Sequence, residues 1–459
     1  MGFKEAIVSL KKTFKTLNDS STCYVIFRNE YYKNGNVRHD FFDIIKKASE
    51  IGFDYVNTIV TSTEKKYIQG FTDNTLYIVW LAKNIKLMDF EKDNIREKHI
   101  WKDVEWGKRK KNYNPLGKDP GNVWIPTLDN GKGKITKHIF MDIKSVVSRI
   151  IDTIPSETHI DIFTVESLVS ENSYIKQHIF PRKVENKLEN YIYDENKKLI
   201  KRNKSKMENT ARIIFDSSEV MDKVTDKSVN VIITSPPYWN LKDYFKEGQI
   251  GQESYDAYLY RLSNVWREAF RVLTDDGVLW ININIRTSKG KPILIPFDIV
   301  KECKNIGFNY KGIIIWHKSS GIPTNAKNLV DRHEYVLLFT KKQSKKNISG
   351  MNKFSDYCND DINQGSFWNI NRRAGSIGRK HKHPAIFPIE LVNRLISISS
   401  IEQDTILDPF LGSGTSLISA INLNRNFIGY EFNEGFEELI KSRINKEVVK
   451  DFKISIENK

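Results

Sequence analysis

The sequence predicts an α/β protein organised around a doubly wound sheet, and three observations support this fold class. Between residues 211 and 340, short apolar runs alternate with segments of helical periodicity, as strands alternate with the helices that cover them. One apolar run, at residues 231–233, ends at a pair of prolines. Another, at residues 404–407, leads into a glycine-rich turn and a helix start. Because such a turn lets a ligand approach the backbone at the carboxyl edge of a parallel sheet, it also predicts a binding site.

The predicted elements follow in chain order. A strand that ends on a carboxylate opens this half of the chain, and the helix after the second strand is predicted from apolar residues at three- and four-residue spacing, from Tyr258 to Phe270. The turn at residues 275–277 then introduces the next strand. The assigned strands are 211–216, 231–233, 278–285, 312–316 and 335–340, and the assigned helices are 256–273, 297–304 and 390–398.

The first motif is a stiff turn directly after a buried strand, Thr234-Ser235-Pro236-Pro237-Tyr238-Trp239. Its prolines have no N–H groups, so carbonyl and hydroxyl acceptors remain, with two aromatic rings beside them. These groups suit a flat ring that carries an amino group, because the ring can be stacked while its NH₂ donates hydrogen bonds. The motif resembles the catalytic motif of amino-methylating DNA methyltransferases, in the form typical of the cytosine-N4 group. The resemblance implies catalytic roles for Ser235, Pro236, Pro237 and Tyr238.

The second motif combines the glycine-rich turn with a carboxylate one strand later. Glu431 ends the apolar stretch at residues 427–430 and is suited to accept hydrogen bonds from ribose hydroxyls. This pattern resembles the S-adenosylmethionine site of the same methyltransferases. Because the glycine turn follows the Ser-Pro-Pro-Tyr motif, the order matches their permuted beta class, and a Rossmann-like sheet is implied. The implied cofactor residues are Asp408, Pro409, Phe410, Gly412, Ser413, Gly414, Thr415 and Glu431.

Two further residues are assigned to the cofactor site by resemblance. Asp216 ends the first strand, where the family usually places an acidic residue, although Phe215 stands where a glycine usually precedes it. His383 opens a segment similar to the element that packs beside the methionine part of the cofactor. The resemblance implies a site-specific enzyme that methylates cytosine N4 in duplex DNA and protects it from a partner restriction endonuclease.

Alternatives to this activity remain open on the sequence alone. Adenine-N6 enzymes usually carry Asp or Asn at the position of Ser235, so the serine favours cytosine without excluding adenine. A DNA-binding regulator without activity is a rival from another class, which the intact Ser235, Gly412, Gly414 and Glu431 argue against. RNA is a further candidate substrate. The target base would have to be flipped out of a duplex, and the reaction requires no metal or covalent intermediate.

Composition limits the class of protein. The chain has 459 residues, a formal net charge of +15 and a pI near 9.3. This charge suits a polyanion such as DNA, although an AT-rich genome that favours lysine would produce it without function. The apolar runs are too short for a membrane span and the N-terminus lacks a signal-like stretch, so we expect a cytoplasmic protein. Its three cysteines have no metal-site spacing and none follows a proline, which argues against a cytosine-C5 enzyme.

The first 200 residues carry a weaker copy of the second half, which predicts an internal duplication. Residues 42–55 parallel residues 297–310 at a fixed offset, with Phe, Asp, Ile, Lys, Ile, Gly, Phe and Tyr recurring. In the same order, residues 77–83, 121–124 and 147–151 resemble residues 335–341, 365–368 and 392–396.

This copy is predicted to be inactive. Too few residues precede Phe42 to hold a counterpart of Ser235, and the segment at 161–167, where the glycine turn should fall, contains no glycine. We therefore predict three regions: a degenerate methyltransferase-like domain at 1–178, a charged linker at 179–209 and a catalytic domain at 210–459. The degenerate domain is expected to contribute to target recognition, with a basic loop at 108–111 as a phosphate contact. The protein is expected to be a monomer or an intramolecular pseudo-dimer.

Overall fold

A computed structural model describes fourteen stretches of the chain, and two large sheets form the frame of this part. One sheet has five strands and belongs to the first half of the chain, and the other has nine strands and belongs to the second half. The described residues are 2–68, 71–97, 116–124, 127–129, 135–138, 143–155, 160–164, 175–179, 208–240, 246–288, 291–318, 328–341, 365–371 and 388–458.

The nine-stranded sheet has the order β17-β15-β16-β12-β11-β18-β19-β10-β20. The six strands from β12 to β20 in this order are parallel to one another, whereas β16 is antiparallel to both of its neighbours. Its strands are β10 (Asn209–Phe215), β11 (Val229–Thr234), β12 (Leu273–Ile283), β15 (Asn309–His317), β16 (His333–Thr340), β17 (Phe367–Asn369), β18 (Thr405–Asp408), β19 (Asn426–Tyr430) and β20 (Phe452–Asn458), and a small hairpin adds β13 (Arg286–Ser288) and β14 (Lys291–Ile293).

Helices cover both faces of this sheet, and a separate apolar cluster fills each face. Helix α5 illustrates the local signals: Pro296 stands in its first turn, and Gly307 ends it in a left-handed conformation with φ 118°. The helices of this half are α4 (Tyr255–Val272), α5 (Ile295–Ile306), α6 (Ile389–Ser399), α7 (Thr415–Asn422) and α8 (Glu437–Glu447).

The five-stranded sheet has the order β4-β5-β1-β8-β9. Its elements, with two short hairpins and a 3₁₀ helix at Lys92–Ile95, are α1 (Gly2–Thr16), β1 (Thr22–Phe27), β2 (Glu30–Tyr31), β3 (Val37–His39), α2 (Phe41–Ile51), β4 (Asp54–Ile68), β5 (Phe71–Ala82), β6 (Thr127–Asp129), β7 (Ile135–His138), α3 (Ile143–Ile151), β8 (Ile160–Thr164) and β9 (Ile175–Ile179).

The two sheets repeat one arrangement. Strands β4, β5 and β1 pair as β15, β16 and β12 do, and the β4–β5 and β15–β16 pairs share a register shift at equivalent positions, after Tyr55 and after Tyr310. In the larger sheet β11 lies between β12 and β18, whereas in the smaller sheet β8 pairs directly with β1. Among the described residues of the first half, the strand that carries the Ser-Pro-Pro-Tyr turn thus has no counterpart in the smaller sheet. The duplication stays a prediction, which this repeated order supports.

Matching side-chain contacts accompany the repeated order. The indole N–H of Trp124 donates to the Gly121 carbonyl at 3.1 Å, and that of Trp368 donates to the Gly365 carbonyl at 2.9 Å. An arginine from the following helix, α3 or α6, lies over each indole ring. A lysine also binds an equivalent carbonyl in each half, from Lys83 to Leu17 and from Lys341 to Leu273.

The structure confirms the α/β fold class and corrects one local prediction. Every predicted helix of the second half is present, with ends that differ by one or two residues. The predicted turn at residues 275–277 instead lies within β12, where the five-residue step from Leu273 to Val278 stands opposite the two-residue step from Val229 to Val231. The prediction was wrong because a bulge in a strand uses the same Asp-Asp-Gly residues as a turn. Among the described residues, no helix combines the length and apolar character that crossing a bilayer requires.

Candidate functional site

The predicted site residues lie at one edge of the nine-stranded sheet. Strands β11, β18, β19 and β10 are adjacent and parallel, so their carboxyl ends meet there. Ser235 follows β11, Asp408 ends β18, Glu431 follows β19 and Asp216 follows β10. This edge of a parallel sheet is where α/β proteins bind their ligands, because loops and helix N-termini surround it.

A hydrogen bond joins the two sequence motifs. The Thr234 hydroxyl, at the end of β11, donates to Asp408 Oδ1 at 2.8 Å. Asp408 is 2% exposed and also accepts from the Phe410 N–H at 3.0 Å and from the Ser416 hydroxyl at 2.5 Å. Burial raises the pKa of Asp408 to about 6, although these three donors oppose the shift. The carboxylate therefore fixes the Ser-Pro-Pro-Tyr turn, the glycine turn and the start of α7 relative to one another.

The Ser-Pro-Pro-Tyr turn presents its acceptors at this edge. The Ser235 hydroxyl donates to the Asn282 carbonyl at 3.1 Å, so its oxygen lone pairs remain able to accept a hydrogen bond. The Pro237 carbonyl accepts from the Tyr258 hydroxyl of α4 at 2.8 Å, which leaves the Pro236 carbonyl as the candidate acceptor of the pair. The Tyr238 ring is half-buried against the core.

A buried polar cluster orients Tyr238. Glu334, the second residue of β16, accepts from the Tyr238 hydroxyl at 3.1 Å, from Asn282 Nδ2 at 2.7 Å and from Lys318 Nζ at 3.0 Å. Asn282 is 3% exposed and its Oδ1 is buried without a hydrogen-bond partner among the described residues. A buried acceptor that lacks a partner is costly in a folded protein, so this oxygen is a candidate contact for a bound ligand.

The aromatic residue after the motif is also fixed. The Trp239 indole N–H donates to the Glu253 carbonyl at 2.7 Å, and its ring meets Tyr255 edge-on at 5.2 Å between centroids. The Asn240 N–H donates to the Gly251 carbonyl at 2.8 Å. These contacts attach the C-terminal side of the turn to the segment that leads into α4.

The glycine turn has the backbone that the sequence predicts. Gly412 and Gly414 have φ angles of 55° and 81°, in the left-handed region that glycine adopts without strain. Gly414 is the N-cap residue of α7. The Gly412 N–H donates to Glu431 Oε2 at 2.7 Å, and the Asn433 N–H donates to Glu431 Oε1 at 2.8 Å.

Glu431 is a carboxylate with an altered proton affinity. Burial raises its pKa to about 7, and the nearby Asp408 charge acts in the same direction, while the backbone donors at residues 412 and 433 oppose it. Glu431 and Asp216 also share an anchor, because both backbone N–H groups donate to the Ile214 carbonyl of β10, at 3.0 and 3.1 Å. The structure thus brings the two predicted acidic residues together.

Arg443 of α8 braces the glycine turn from the protein interior. Its Nη1 donates to the Ser413 carbonyl at 2.8 Å, to the Ser413 hydroxyl at 2.9 Å and to the Thr415 hydroxyl at 2.8 Å, and its Nε donates to Glu447 at 2.9 Å. Arg443 is 1% exposed, and Ser413 and Thr415 are 3% and 4% exposed. The Ser413 and Thr415 side chains therefore bind Arg443, which leaves the backbone of the turn to face a ligand.

Several residues of this site were missed by sequence reasoning. Asn282 comes from β12, Glu334 comes from β16 and Lys318 directly follows β15, so these residues meet only through the sheet register. Asn282 and Glu334 carried a signal as polar residues in apolar strands, and Arg443 carried one because it shares the apolar face of α8 with Leu439 and Ile440. Two predicted features, His383 and the basic loop at 108–111, lie outside the described residues.

Comparison with known proteins gives matches that each cover about half of the chain. The family model of the N6/N4 DNA methylases matches residues 229–442. The type II methyltransferase M.MthZI of Methanothermobacter thermautotrophicus is 33% identical over 276 residues, which covers 52% of this chain and 78% of that protein. M.MjaI of Methanocaldococcus jannaschii is 31% identical over 299 residues, or 54% of this chain and 96% of that protein. The solved structure of the cytosine-N4-specific PvuII DNA methyltransferase is 19% identical, with a TM-score of 0.42, and the match covers 54% of this chain and 95% of that one.

Replacement of Arg443 by methionine should destabilise the protein. The Ser413 carbonyl and the Ser413 and Thr415 hydroxyls would lose their common donor in a buried place, which costs about 1–3 kcal/mol of unfolding free energy. Urea denaturation of the purified protein measures this loss.

The matched control is Arg267→Met. Arg267 is also a helix arginine paired with a glutamate, Glu302, but its side chain is 63% exposed, so its ion pair contributes little. Equal urea midpoints for the two variants would contradict the bracing role of Arg443.

Proposed function

The chain belongs to the N6/N4 DNA methylase family, and on that premise we propose that it transfers a methyl group from S-adenosylmethionine to the exocyclic N4 of cytosine in duplex DNA. The observation that carries the proposal is the Thr234–Asp408 hydrogen bond, which sets the acceptors for an amino group beside the glycine turn. A methyl donor on one side of this bond and a flat base on the other would meet at the sheet edge.

The residues of the glycine turn fit the proposed cofactor. The left-handed backbone at Gly412 and Gly414 brings main-chain groups close to a ligand, and Glu431 presents a carboxylate where ribose hydroxyls would donate. Asp216, anchored to the same carbonyl as Glu431, supplies a second carboxylate. S-adenosylmethionine, when bound, supplies a methyl group on a positively charged sulfur.

The Ser-Pro-Pro-Tyr turn would prepare the amino group of the base. The lone pair of an exocyclic amino nitrogen is delocalised into the ring, so the nitrogen is a weak nucleophile in the planar state. Ser235 Oγ and the Pro236 carbonyl would accept its two hydrogens and favour a tetrahedral nitrogen with a localised lone pair. The Tyr238 ring, oriented by Glu334, would stack on the base. The remaining requirement is alignment with the methyl group, which is a matter of positioning.

We choose cytosine over adenine as the target base because of Ser235. The target base would have to leave the duplex to reach the Ser-Pro-Pro-Tyr turn.

The experiment that tests the identity of the base is nucleoside analysis by mass spectrometry after incubation with duplex DNA and labelled cofactor. N4-methylcytosine is expected. N6-methyladenine would overturn the choice of base, and incorporation into RNA alone would overturn DNA as the substrate.

A pairing with a restriction endonuclease is part of the proposal. The two relatives named above are type II methyltransferases, a name used for enzymes of restriction-modification systems. DNA from cells that express this chain should resist cleavage by one endonuclease and remain sensitive to others. If the DNA is methylated but remains sensitive to every endonuclease tested, the methyltransferase activity would stand and the protective role would be refuted.

The first half of the chain is proposed to assist target recognition. In the part of the first half that the structure describes, the smaller sheet has no counterpart of β11, the strand that carries the Ser-Pro-Pro-Tyr turn. Ile26 and Leu76 occupy the positions in β1 and β5 that Asn282 and Glu334 occupy in β12 and β16, so the polar cluster is also missing there. A domain that lacks these catalytic groups but still packs on the catalytic half is consistent with a binding role.

Replacement of Ser235 by alanine should reduce turnover while leaving cofactor binding unchanged. The hydroxyl is placed toward the base, whereas the cofactor is bound by the glycine turn and Glu431. We expect a loss of kcat of roughly a hundredfold, the effect of removing one oriented polar group from an active site. Labelled methyl transfer measures kcat, and calorimetry measures cofactor affinity.

Ser228→Ala is the control, because Ser228 is an exposed serine at the opposite end of the same strand. It should retain normal turnover. Near-normal turnover in Ser235→Ala would refute the catalytic assignment.

Cofactor binding should release a proton near pH 6.5. Free Glu431, with a pKa raised to about 7, is largely protonated at that pH, whereas ribose hydroxyls bind the ionised carboxylate best. Affinity should therefore rise with pH through about 7 and then level off. Calorimetry in two buffers of different ionisation enthalpy measures the proton count.

The Glu431→Gln variant tests whether the released proton comes from Glu431 or from Asp408, whose pKa is raised to about 6. The variant should bind the cofactor more weakly, by roughly 1.5–3 kcal/mol, with no pH dependence near 7. An unchanged proton release in this variant would assign the titration to another group.

A further inference from the structure

The two halves of the chain meet through contacts that repeat in pairs. The Arg332 N–H donates to Asn122 Oδ1 at 2.8 Å, and Asn122 Nδ2 donates to Asp331 Oδ1 at 3.2 Å. Asn122 belongs to the first half and the two others belong to the second half. Asp331 and Arg332 immediately precede strand β16, which begins at His333.

The equivalent residues make the reverse contacts. The Asn74 N–H of the first half donates to the Ser366 hydroxyl of the second half at 3.0 Å, and that hydroxyl donates to Asp73 at 2.9 Å. The strand register equates Asp73 and Asn74 with residues 331 and 332. The contact of residue 122 with residues 331 and 332 therefore recurs, with the two halves exchanged, as the contact of residue 366 with residues 73 and 74. Such reciprocal contacts are the pattern of an isologous two-fold interface.

Both ends of this interface are closely packed. A Cβ atom on Gly121 would lie 2.5 Å from the Arg332 side chain, and one on Gly365 would lie 2.5 Å from the Asn74 side chain. Asn122 is 2% exposed and Ser366 is fully buried. The first half therefore occupies the face of the catalytic half that a second copy of the catalytic half would use in a two-fold dimer.

At one end of the interface, Arg332 lies two residues before Glu334 of the proposed active site. Arg332 is fixed by two further groups of the first half, through donation to Glu97 Oε2 at 2.8 Å and to the Asp119 carbonyl at 2.7 Å. Two residues later, Glu334 accepts from the Tyr238 hydroxyl and from Asn282. At the other end of the interface, the strand fixed by Ser366 carries Leu76 in place of that glutamate.

We propose that the first half acts as a built-in partner subunit, in which Asn122 is a positioning residue that holds the start of β16 and thereby aligns Glu334 and Tyr238 for catalysis. The proposal rests on the proposed methyltransferase function. Asn122 does not reach the base or the cofactor turn, and it acts through the backbone of residues 330–332, where its own N–H donates to the Val330 carbonyl at 2.9 Å.

The pseudo-symmetry supplies a matched pair of variants in the full-length protein. Asn122→Ala and Ser366→Ala each remove the side chain that accepts a backbone N–H across the interface. We expect Asn122→Ala to lower kcat roughly tenfold or more, because misplacement of a catalytic group reduces turnover strongly. Ser366→Ala should leave kcat within about twofold of the unchanged protein, since its contacts end at a strand without catalytic groups. The KM for DNA and the cofactor affinity should change little in either variant.

A conservative variant tests positioning against simple loss of stability. Asn122→Ser places at this position the side chain that makes the equivalent bond from residue 366, so it should restore most of kcat. Hydrogen exchange, followed by mass spectrometry, should show faster exchange at residues 331–335 in Asn122→Ala and not in Ser366→Ala. This measurement does not depend on activity and applies even if the protein proves inactive.

The outcomes separate the two proposals. No methyl transfer by the unchanged protein would refute the proposed function and leave the exchange experiment to decide the positioning role. Equal losses of kcat in Asn122→Ala and Ser366→Ala, or normal kcat and exchange in Asn122→Ala, would overturn the inference. If Asn122→Ala does not fold, Asn122→Ser decides: kcat and exchange at residues 331–335 that are both near normal, or both altered, would support positioning, whereas normal kcat with faster exchange, or reduced kcat with normal exchange, would overturn it.

Discussion

The hydrogen bond between Thr234 and Asp408 is the constraint on which the site depends. It joins the ends of two neighbouring parallel strands whose motifs are 174 residues apart in sequence. Parallel pairing of β11 with β18 brings the motifs to the same edge, and the buried carboxylate then fixes their relative position. Because Asp408 also accepts from the Phe410 N–H and the Ser416 hydroxyl, one side chain organises the Ser-Pro-Pro-Tyr turn, the glycine turn and helix α7.

Burial of charge around this bond has a consequence for ligand binding. Asp408 and Glu431 both have raised pKa values, and Arg443 is buried behind the same turn with Glu447 as its partner. Charged groups are retained in such places when their hydrogen bonds are satisfied. The edge is therefore extensively hydrogen-bonded before a ligand arrives, and a ligand that donates hydrogen bonds to Glu431 would complete a site that is already organised.

The parts predicted from sequence are those encoded in contiguous residues. The Ser-Pro-Pro-Tyr turn and the glycine turn could be predicted because proline and glycine restrict the backbone locally. The cluster of Asn282, Lys318 and Glu334 could not, since it depends on which strands pair and in which register. The turn predicted at residues 275–277 failed for the same reason: the bulge in β12 is defined by its pairing with β11. The repeat could be predicted because contiguous segments of the two halves share residue identities; Lys83 and Lys341 belong to two of these segments and bind the carbonyls of Leu17 and Leu273.

The most direct test of the account is a crystal structure of the full-length protein with a non-reactive analogue of S-adenosylmethionine. The adenosyl group should lie against Glu431 and the glycine turn, with the sulfur-equivalent atom directed toward Ser235 across the Thr234–Asp408 bond. Density for the analogue at that edge of the nine-stranded sheet, with ribose hydroxyls within hydrogen-bond distance of Glu431, is the predicted result. Density at the five-stranded sheet, or at the nine-stranded edge without contact to Glu431, would contradict it.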